Sequence, residues 1–571
     1  MAQHSGGDAV VDVLERAGVG VVFGIPSVHN LPLYEALARR GGIRAVTVRH
    51  EQAAAGAADA FARVSGRVGV AITSTGPGAA NAMGGLLEAY VSGSPVVHLT
   101  GQIETRYLDS LRGFIHEVPD QPAMLDSLSK RVLRAVSADD IAPVVAEAVG
   151  TALEWPRGPV SVELPIDLQY ADAAVEAASL IDRLLAPEAC RPVDQGDVQR
   201  AAEVLASARR PLIWAGGGAV ASGAAEEVRE LSRRLSAGVL TSPNGRGILP
   251  ETDPLCLGNL AWDPDVRALC READVLVGVG TRYQGTNTEN WTMQLPATIV
   301  QVDVDPDRPG RNYPAAVKVR GDAREALAAV LDALDGLDRA GGSDGPVTEA
   351  SWPERVRTTA SAARARLRST LGSQEALLDA TERVLPPGTV VVKDSTIPAY
   401  TWGNRLLTVT SPRSSVMPNG FAIGLGLPHL VGAAAAVAAG AAAAGAADWH
   451  VPAVLMVGDG GLAQSVGELA TLAEERLPGV VVCFSDGGYG ILRNIQRRQY
   501  ERTIGVELGR PDLAAVARAF GVPAVRVEAA AGYEDALGEA IRRQGPSFIE
   551  VDLDAVGPMA RPYTGTSKPP T

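Results

Sequence analysis

Three acidic residues stand where their neighbours could put them to chemical use. Glu51 closes the triplet Arg49-His50-Glu51 and opens EQAAAGAADAFARVSG, a run of small side chains that reads as a tightly packed helix. A carboxylate there is either a charge placed against the free N–H groups of a helix start, or a catalytic acid. Asp459 and Asp486 lie 27 residues apart, in VGDGG and SDGG, each at the end of an apolar run within one strand–helix–strand unit. Both oxygen sets can then meet at one sheet edge. Two carboxylates, a backbone carbonyl and diphosphate oxygens suit the octahedral shell of Mg²⁺. Gly458, Gly460 and Gly461 let the backbone approach a phosphate, and a helix N-terminus after Gly461 adds its dipole. The alternative is a pair of strand-end turns capped by aspartates, which the paired spacing disfavours.

The elements that must position these residues alternate along the whole chain. In the first 175 residues, VGVVFGIP, IRAVTVRH, VGVAITSTGPG, SPVVHLTG and GPVSVELP read as buried strands ending in Gly, Pro or polar loops, with helical stretches between them. Such alternation predicts parallel sheets with helices on both faces. RRPLIWAGGGAV, ADVLVGVGTRY and ATIVQVDVDPD continue the pattern in a second segment, and GTVVVKDST, SSVMPNGFAIGLGLP, VPAVLMVGDGG, GVVVCFSDGGYG and PSFIEVDLD in a third. DAAVEAASLIDRLLAPEACRPVDQGD and LDRAGGSDGPVTEASWP read as linkers. The expected fold class is therefore α/β, three doubly wound parallel-sheet domains, over residues 1–178, 190–340 and 350–565. In such sheets ligands bind outside the carboxyl ends of the strands, where the acidic residues fall.

Composition narrows the function classes. The chain has 571 residues, 46% hydrophobic and 21% charged, with a net charge of −14 that argues against a nucleic-acid partner. Four cysteines without a CxxC pair suggest neither a zinc site nor a disulfide framework. The first residues lack the basic segment and apolar run of a signal peptide. LVGAAAAVAAGAAAAGAA, Leu430 to Ala447, is free of charge over about a membrane span, but Ala and Gly contribute little transfer free energy, so it reads as a buried helix. A cytoplasmic protein without a membrane partner is expected.

With the GDG motif followed 27 residues later by Ser485-Asp486, the chain resembles the thiamine-diphosphate (ThDP) enzymes of the acetolactate synthase, pyruvate decarboxylase and benzaldehyde lyase group. The resemblance covers nearly the whole chain, in pyrimidine-binding, central and pyrophosphate-binding order. That family usually has Asn-Asn where Ser485-Asp486 stands; Asp ligates Mg²⁺ as Asn does, with one more negative charge. The resemblance implies Asp459, Asp486 and the Gly488 carbonyl as metal ligands. NGFAIGLGLP is similar to the segment that wedges between the cofactor rings, with Ile423 as the bulky residue and the Phe421 carbonyl facing the 4′-amino group. Ser395 and Thr396 in DSTIPAY fall where the family binds diphosphate. Glu51 falls where the family's glutamate shares a proton with N1′ of the aminopyrimidine, which calls for a buried acid of raised pKa and leads to the nucleophilic ylid. Gly76 and Asn81, in TSTGPGAAN, lie near the cofactor by the same resemblance. Family geometry sets Glu51 of one subunit against ThDP held by another, which implies a homodimer or homotetramer with active sites at the subunit interface. Small residues after Glu51 would let the helix press against the cofactor or a partner domain.

The substrate-side loops differ from acetolactate synthase. His29 in GIPSVHN falls where benzaldehyde lyase has a histidine, and His116 in GFIHEVPDQ lies on the loop where acetolactate synthases show Phe-Gln-Glu. Two imidazoles beside a reacting carbonyl could relay protons near neutral pH. Ile166 replaces a lysine, Ile495 a tryptophan, and GTRYQGTNTEN lacks the arginine motif of those synthases. These departures argue against a need for FAD. GIPxVHxLxLY, HEQ, HExPDQ and DST together look closest to a 5-guanidino-2-oxopentanoate decarboxylase-like branch. The expected activity is a 2-oxoacid decarboxylase or carboligase acting on small 2-oxoacids or aldehydes through the ThDP ylid and enamine. The alternatives are acetolactate synthase and a non-catalytic ThDP-binding homologue.

Overall fold

The computed structural model describes residues 4–341, 347–440, 451–543 and 545–565. Three six-stranded sheets, every pairing between named strands parallel, carry the chain. The first holds β1 (Val21–Gly24), β2 (Arg44–Thr47), β3 (Gly69–Thr73), β4 (Val96–Gln102), β5 (Arg131–Arg134) and β6 (Val160–Pro165) in the order β2-β1-β3-β4-β6-β5. The second holds β7 (Pro211–Ala215), β8 (Gly238–Thr241), β9 (Cys256–Gly258), β10 (Val275–Val279), β11 (Thr298–Asp303) and β12 (Val317–Arg320), ordered β12-β11-β10-β7-β8-β9. The third holds β13 (Val391–Lys393), β14 (Ser415–Val416), β15 (Ala453–Gly458), β16 (Gly479–Ser485), β17 (Ala524–Val527) and β18 (Ser547–Asp552), ordered β14-β13-β15-β16-β18-β17. The first and third sheets share one winding; the central sheet has the order of dinucleotide-binding folds.

The central strands β3, β4, β15 and β16 are buried over nearly their whole length, as strands covered on both faces must be, which is why they stand out in the sequence. β5 and β17 lie at sheet edges and are half-exposed, so their runs are less apolar and escape a search for buried strands. SSVMPNGFAIGLGLP is strand only at Ser415–Val416, and the rest is a loop leading to the helix Gly426–Ala438. The first expected linker contains a helix, Ala178–Leu185, anchored by buried Ile181. The second lies partly outside the described residues.

The first and third domains share one core. The helix Glu51–Ser65 packs along Gly426–Ala438, and buried alanines on both let the backbones approach. A Cβ at Gly432 would collide with the Ala57 carbonyl, and one at Gly56 would press on Pro428 at 3.1 Å. The small side chains after Glu51 thus serve contact with this chain's own third domain. Within that contact, buried Asp59 lies 3.2 Å from His429 and accepts from Ser94. The charge-free stretch from Leu430 is buried helix as far as Val437, the helix ends at Ala438, residues 438–440 are exposed, and residues 441–447 lie outside the described residues. No helix among the described residues is long and apolar enough to cross a membrane.

Candidate active site

Glu51 is the first residue of its helix, but it is not the cap. His50 occupies that position with extended backbone, and its Nδ1 accepts from the Gln52 N–H at 3.1 Å. One orphan donor of the helix start is thus satisfied without Glu51. Glu51 instead accepts from the Asn81 side-chain amide at 3.0 Å. It is half-buried in the single chain, where a fully buried acid was expected, because only one side is covered by its own domain. Gly78 permits that approach: a Cβ there would stand 3.3 Å from Glu51 Oε1 and 2.9 Å from Ser74.

His29 and His116 meet, although 87 residues separate them, with ring centroids 5.0 Å apart. Ser74 Oγ lies 3.2 Å from His116 Nδ1 and accepts from Ser27 Oγ at 2.8 Å; Ser27 Oγ in turn accepts from the His29 N–H at 3.1 Å. Both His116 and Gly76 have positive φ, and a Cβ on Gly76 would strike the His116 carbonyl, so that glycine seats the loop. His29 is buried with Nδ1 unpartnered. Burial, and then the neighbouring charge of His116, push its pKa down to about 4. Burial thus favours the neutral form of His29 near pH 7, unlike the expected pair of imidazoles both exchanging protons there.

A buried polar relay, which sequence reasoning missed, supports the loop Thr75–Gly76. Gln121 Oε1 accepts from the Gly76 N–H at 2.7 Å and from Thr75 Oγ1 at 2.9 Å. Gln102 and Gln121 both donate to Glu163 Oε1, while Arg134 donates to its other oxygen at 2.6 Å. The sequence signal in the strands was Gln102 and Glu163 within otherwise apolar runs; Gln121 opens a helix and carried none of that kind.

The third domain, with Pro243, Asn259, Thr286 and Asn287 of the central one, encloses a separate cavity of about 340 Å³ at the carboxyl ends of β13, β15 and β16. Ser395, Thr396, Phe421, Ile423, Gly458, Asp459, Gly460, Gly461, Asp486 and Gly488 all line it; Glu51, His29 and His116 do not. Asp459 begins the helix Asp459–Ser465, so the helix starts three residues before the expected point. Its carboxylate accepts from the Gly460 N–H at 2.8 Å and the Gly487 N–H at 2.7 Å, which aims it at the β16 turn. Burial, followed by the Asp459 charge, pushes Asp486 up to about 6. Two adjacent carboxylates that repel each other fit a divalent cation. Among the described residues no group of three His, Cys, Asp or Glu side chains gathers for a metal, so the rest of a shell would come from backbone, diphosphate and water. A Cβ at Gly490 would strike Asp486, and one at Gly458 would stand 3.0 Å from Thr396 Oγ1, so both glycines keep the cradle open. Ser395 Oγ pairs with the Tyr400 hydroxyl at 3.0 Å, so its hydroxyl is shared before any diphosphate binds.

The loop between β14 and the helix Gly426–Ala438 is clamped at both ends by buried carboxylates. Asp394 accepts from the N–H groups of Gly424 and Gly426, the latter at 2.8 Å. Glu88, from the first domain, accepts from those of Asn419 and Gly420. Between the clamps Phe421 adopts φ +58°, an uncommon conformation for an aromatic residue, and stacks on Tyr400 with centroids 6.4 Å apart. A second cavity, of about 230 Å³, lies at the strand ends of the central sheet, where Gly216–Gly218, Arg282 and Asp303 meet Arg63 and Arg413 of the flanking domains.

Two doubly wound sheets of identical order around a dinucleotide-type central sheet, with a carboxylate pair in a glycine cradle, define a cofactor-dependent α/β enzyme. Residues 4–124, 198–330 and 399–551 match the N-terminal, central and C-terminal domains of the thiamine pyrophosphate enzymes, and the chain belongs to that family. It is 34% identical over 550 residues to a probable 2-ketoarginine decarboxylase, AruI, of Pseudomonas aeruginosa, covering 95% of this chain and 93% of that one. It is 30% identical over 566 residues to a probable acetolactate synthase large subunit of Methanocaldococcus jannaschii, covering 96% and 92%. An X-ray structure described as a thiamin diphosphate-dependent enzyme, from Mycobacterium smegmatis, superposes with a TM-score of 0.76 at 24% identity, covering 96% and 99%, and shares the fold. The chain is thus a ThDP-dependent enzyme of the kind that includes decarboxylases and acetolactate synthases.

Proposed function

We propose that this enzyme is a Mg²⁺-dependent 2-oxoacid decarboxylase or carboligase. Bound ThDP supplies a nucleophilic thiazolium carbon and an electron sink for the charge left when carbon dioxide departs. Asp459, Asp486 and the Gly488 carbonyl hold Mg²⁺ against the diphosphate, and Thr396 and Ser395 line the same cradle. Ile423 and the Phe421 backbone, fixed between the Glu88 and Asp394 clamps, orient the cofactor rings. Glu51, steadied by Asn81, holds the proton at N1′. His29 and His116 face the reacting carbonyl, neutral His29 as a hydrogen-bonding group and His116 as the proton-handling one. No redox carrier is needed for this chemistry, so FAD is not part of the proposal.

The observation that supports this reading best is the joining of Asn81-held Glu51 to the His29–His116 pair through Gly78 and Ser74, a proton-handling face at the ends of β1 and β3. The cofactor cavity lies elsewhere in the chain, so the reading requires a second copy: a homodimer or homotetramer in which one subunit's Glu51 meets the other's cavity. Exposed Val28, Leu31, Leu87, Tyr90 and Ile115 on the first domain offer an apolar surface for that contact. A cytoplasmic location goes with this reading.

The 2-ketoarginine decarboxylase relative favours release of an aldehyde. Acetolactate synthase is the second reading, favoured by the archaeal relative and weakened by Ile166 and Ile495. Mass-spectrometric product analysis of a 2-oxoacid panel with ThDP and Mg²⁺, with and without acceptor aldehydes, decides. Carbon dioxide with an aldehyde or acyloin is expected. Acetolactate from pyruvate alone would establish the second reading, and no consumption of any 2-oxoacid would overturn both.

A further inference from the structure

The cavity in the third domain carries three formally charged side chains: Asp459, Asp486 and Arg405. Both carboxylates line the glycine cradle, Asp486 also 3.5 Å from Arg493, and belong to the metal in the proposed reading. Arg405 is then the one charge left to face whatever fills the remaining space. It follows Ala399–Gly403, a π-helical turn, and its environment holds it in place without neutralising it. Its guanidinium carbon lies 4.8 Å from the ring centre of Trp262, from the central domain, and 5.7 Å from that of Tyr563. Its Nε is buried without a hydrogen-bond partner, and a terminal nitrogen reaches only the Tyr563 hydroxyl, at 3.4 Å. Among the described residues no carboxylate lies within ion-pair distance of it. Aromatic faces orient a guanidinium and offset part of its desolvation, but they do not replace a carboxylate that accepts from its fork.

The same cavity is lined by the neutral polar residues Asn259, Thr286, Asn287, Asn404 and Tyr400 and by the apolar Ile491, Leu492 and Ile495. The Asn404 side-chain oxygen is buried and unpartnered. A guanidinium or ammonium entering beside Arg405 would meet a like charge, whereas an oxyanion would pair with its terminal nitrogens.

We infer that Arg405 is a specificity-determining residue and that the preferred donor is a 2-oxoacid with a second acidic group at its far end. This rests on the proposed decarboxylase or carboligase reading and narrows it: the substrate class differs from the guanidino acid in the name of the Pseudomonas relative. A half-buried arginine between two aromatic rings selects by charge and planar geometry, so a terminal carboxylate fits and a terminal methyl or guanidinium does not.

The test uses the full-length enzyme with ThDP and Mg²⁺. kcat/KM is measured for 2-oxoglutarate and 2-oxoadipate, for 2-oxopentanoate and 2-oxohexanoate as neutral counterparts of equal length, and for 5-guanidino-2-oxopentanoate. Binding of glutarate, which cannot react, is measured by calorimetry. The expected result is a preference of at least about tenfold for the diacids, carried by KM, and glutarate binding. Arg405→Gln should bring the ratio of diacid to neutral acid close to one and abolish glutarate binding; Arg405→Lys should retain part of both, which a purely structural role for Arg405 would not produce. Turnover of neutral or guanidino acids at least as efficient as that of diacids, with no glutarate binding, overturns the inference and leaves the decarboxylase reading standing. Glutarate binding lost in Arg405→Gln, without turnover of any 2-oxoacid, supports the anion site and overturns the decarboxylase reading instead.

Discussion

Asn81 donates its side-chain amide to Glu51 across 3.0 Å, although helix capping at that position is already done by His50. A carboxylate released from capping and steered by an amide on a second helix is one whose direction matters. Glu51→Gln keeps the shape and the Asn81 contact but loses the titrating proton. We expect kcat to fall at least about 100-fold while ThDP binding, read by calorimetry, persists. Asn81→Ala should cost less, about tenfold. Unchanged turnover in Glu51→Gln would remove Glu51 from the chemistry.

The proposed metal role of Asp459 predicts a dependence that can be read without turnover. With ThDP present, Mg²⁺ should raise the thermal midpoint of the wild type; at one hundred times its dissociation constant a ligand stabilises by about 2.7 kcal/mol. Asp459→Ala should abolish the Mg²⁺-dependent rise, as should chelation by EDTA. A rise that survives in the variant would place the cation elsewhere.

His29 titrates at about 4 in the folded chain, against an ordinary 6.5, because burial and then His116 disfavour its charged form. Between those values the unfolded chain binds more protons, so His29 withdraws stability as pH falls through that window. His29→Gln should therefore gain stability relative to wild type at pH 5 compared with pH 7.5. Urea midpoints at the two pH values measure this, and a difference independent of pH would show that His29 is not held neutral.

Glu88, on a helix of the first domain, accepts from the N–H groups of Asn419 and Gly420, the two residues that precede Phe421. Removing it takes the charged acceptor from the half-buried Asn419 N–H and the exposed Gly420 N–H, at about 1 kcal/mol. Glu88→Ala should lower the urea midpoint accordingly and weaken ThDP binding, and Glu88→Gln, which keeps one acceptor, should recover part of both. Full ThDP affinity in Glu88→Ala would show that the loop holds its shape without the clamp.

Much of this architecture was legible before any coordinates because parallel strands covered on both faces must be apolar throughout. β3, β15 and β16 announce themselves, and the polar residues that end them mark the sites. β5 and β17, half-exposed at the edges, carry no such signature, and β14 is too short for any periodicity. The Gln102–Gln121–Glu163 relay was illegible because its members pair across strands and loops, and nothing local distinguishes a paired buried amide from an exposed one. His29 and His116 were visible as candidates, but not the neutrality of His29, which comes from the walls around it.

By itself the amino-acid sequence determined the alternation of strands and helices, the glycines at Gly458–Gly461 and Gly487–Gly488, and the placing of Glu51, Asp459 and Asp486 at element ends. Those are properties of short stretches, set by side-chain period and backbone freedom. Tertiary structure alone decided that the alanines after Glu51 meet Gly426–Ala438, that Asn81 rather than a cap holds Glu51, and that Arg405 faces a cavity without a carboxylate of its own. The reason is that hydrogen bonding, burial and Coulomb interaction depend on distance in space, and these partners stand from tens to hundreds of residues apart along the chain.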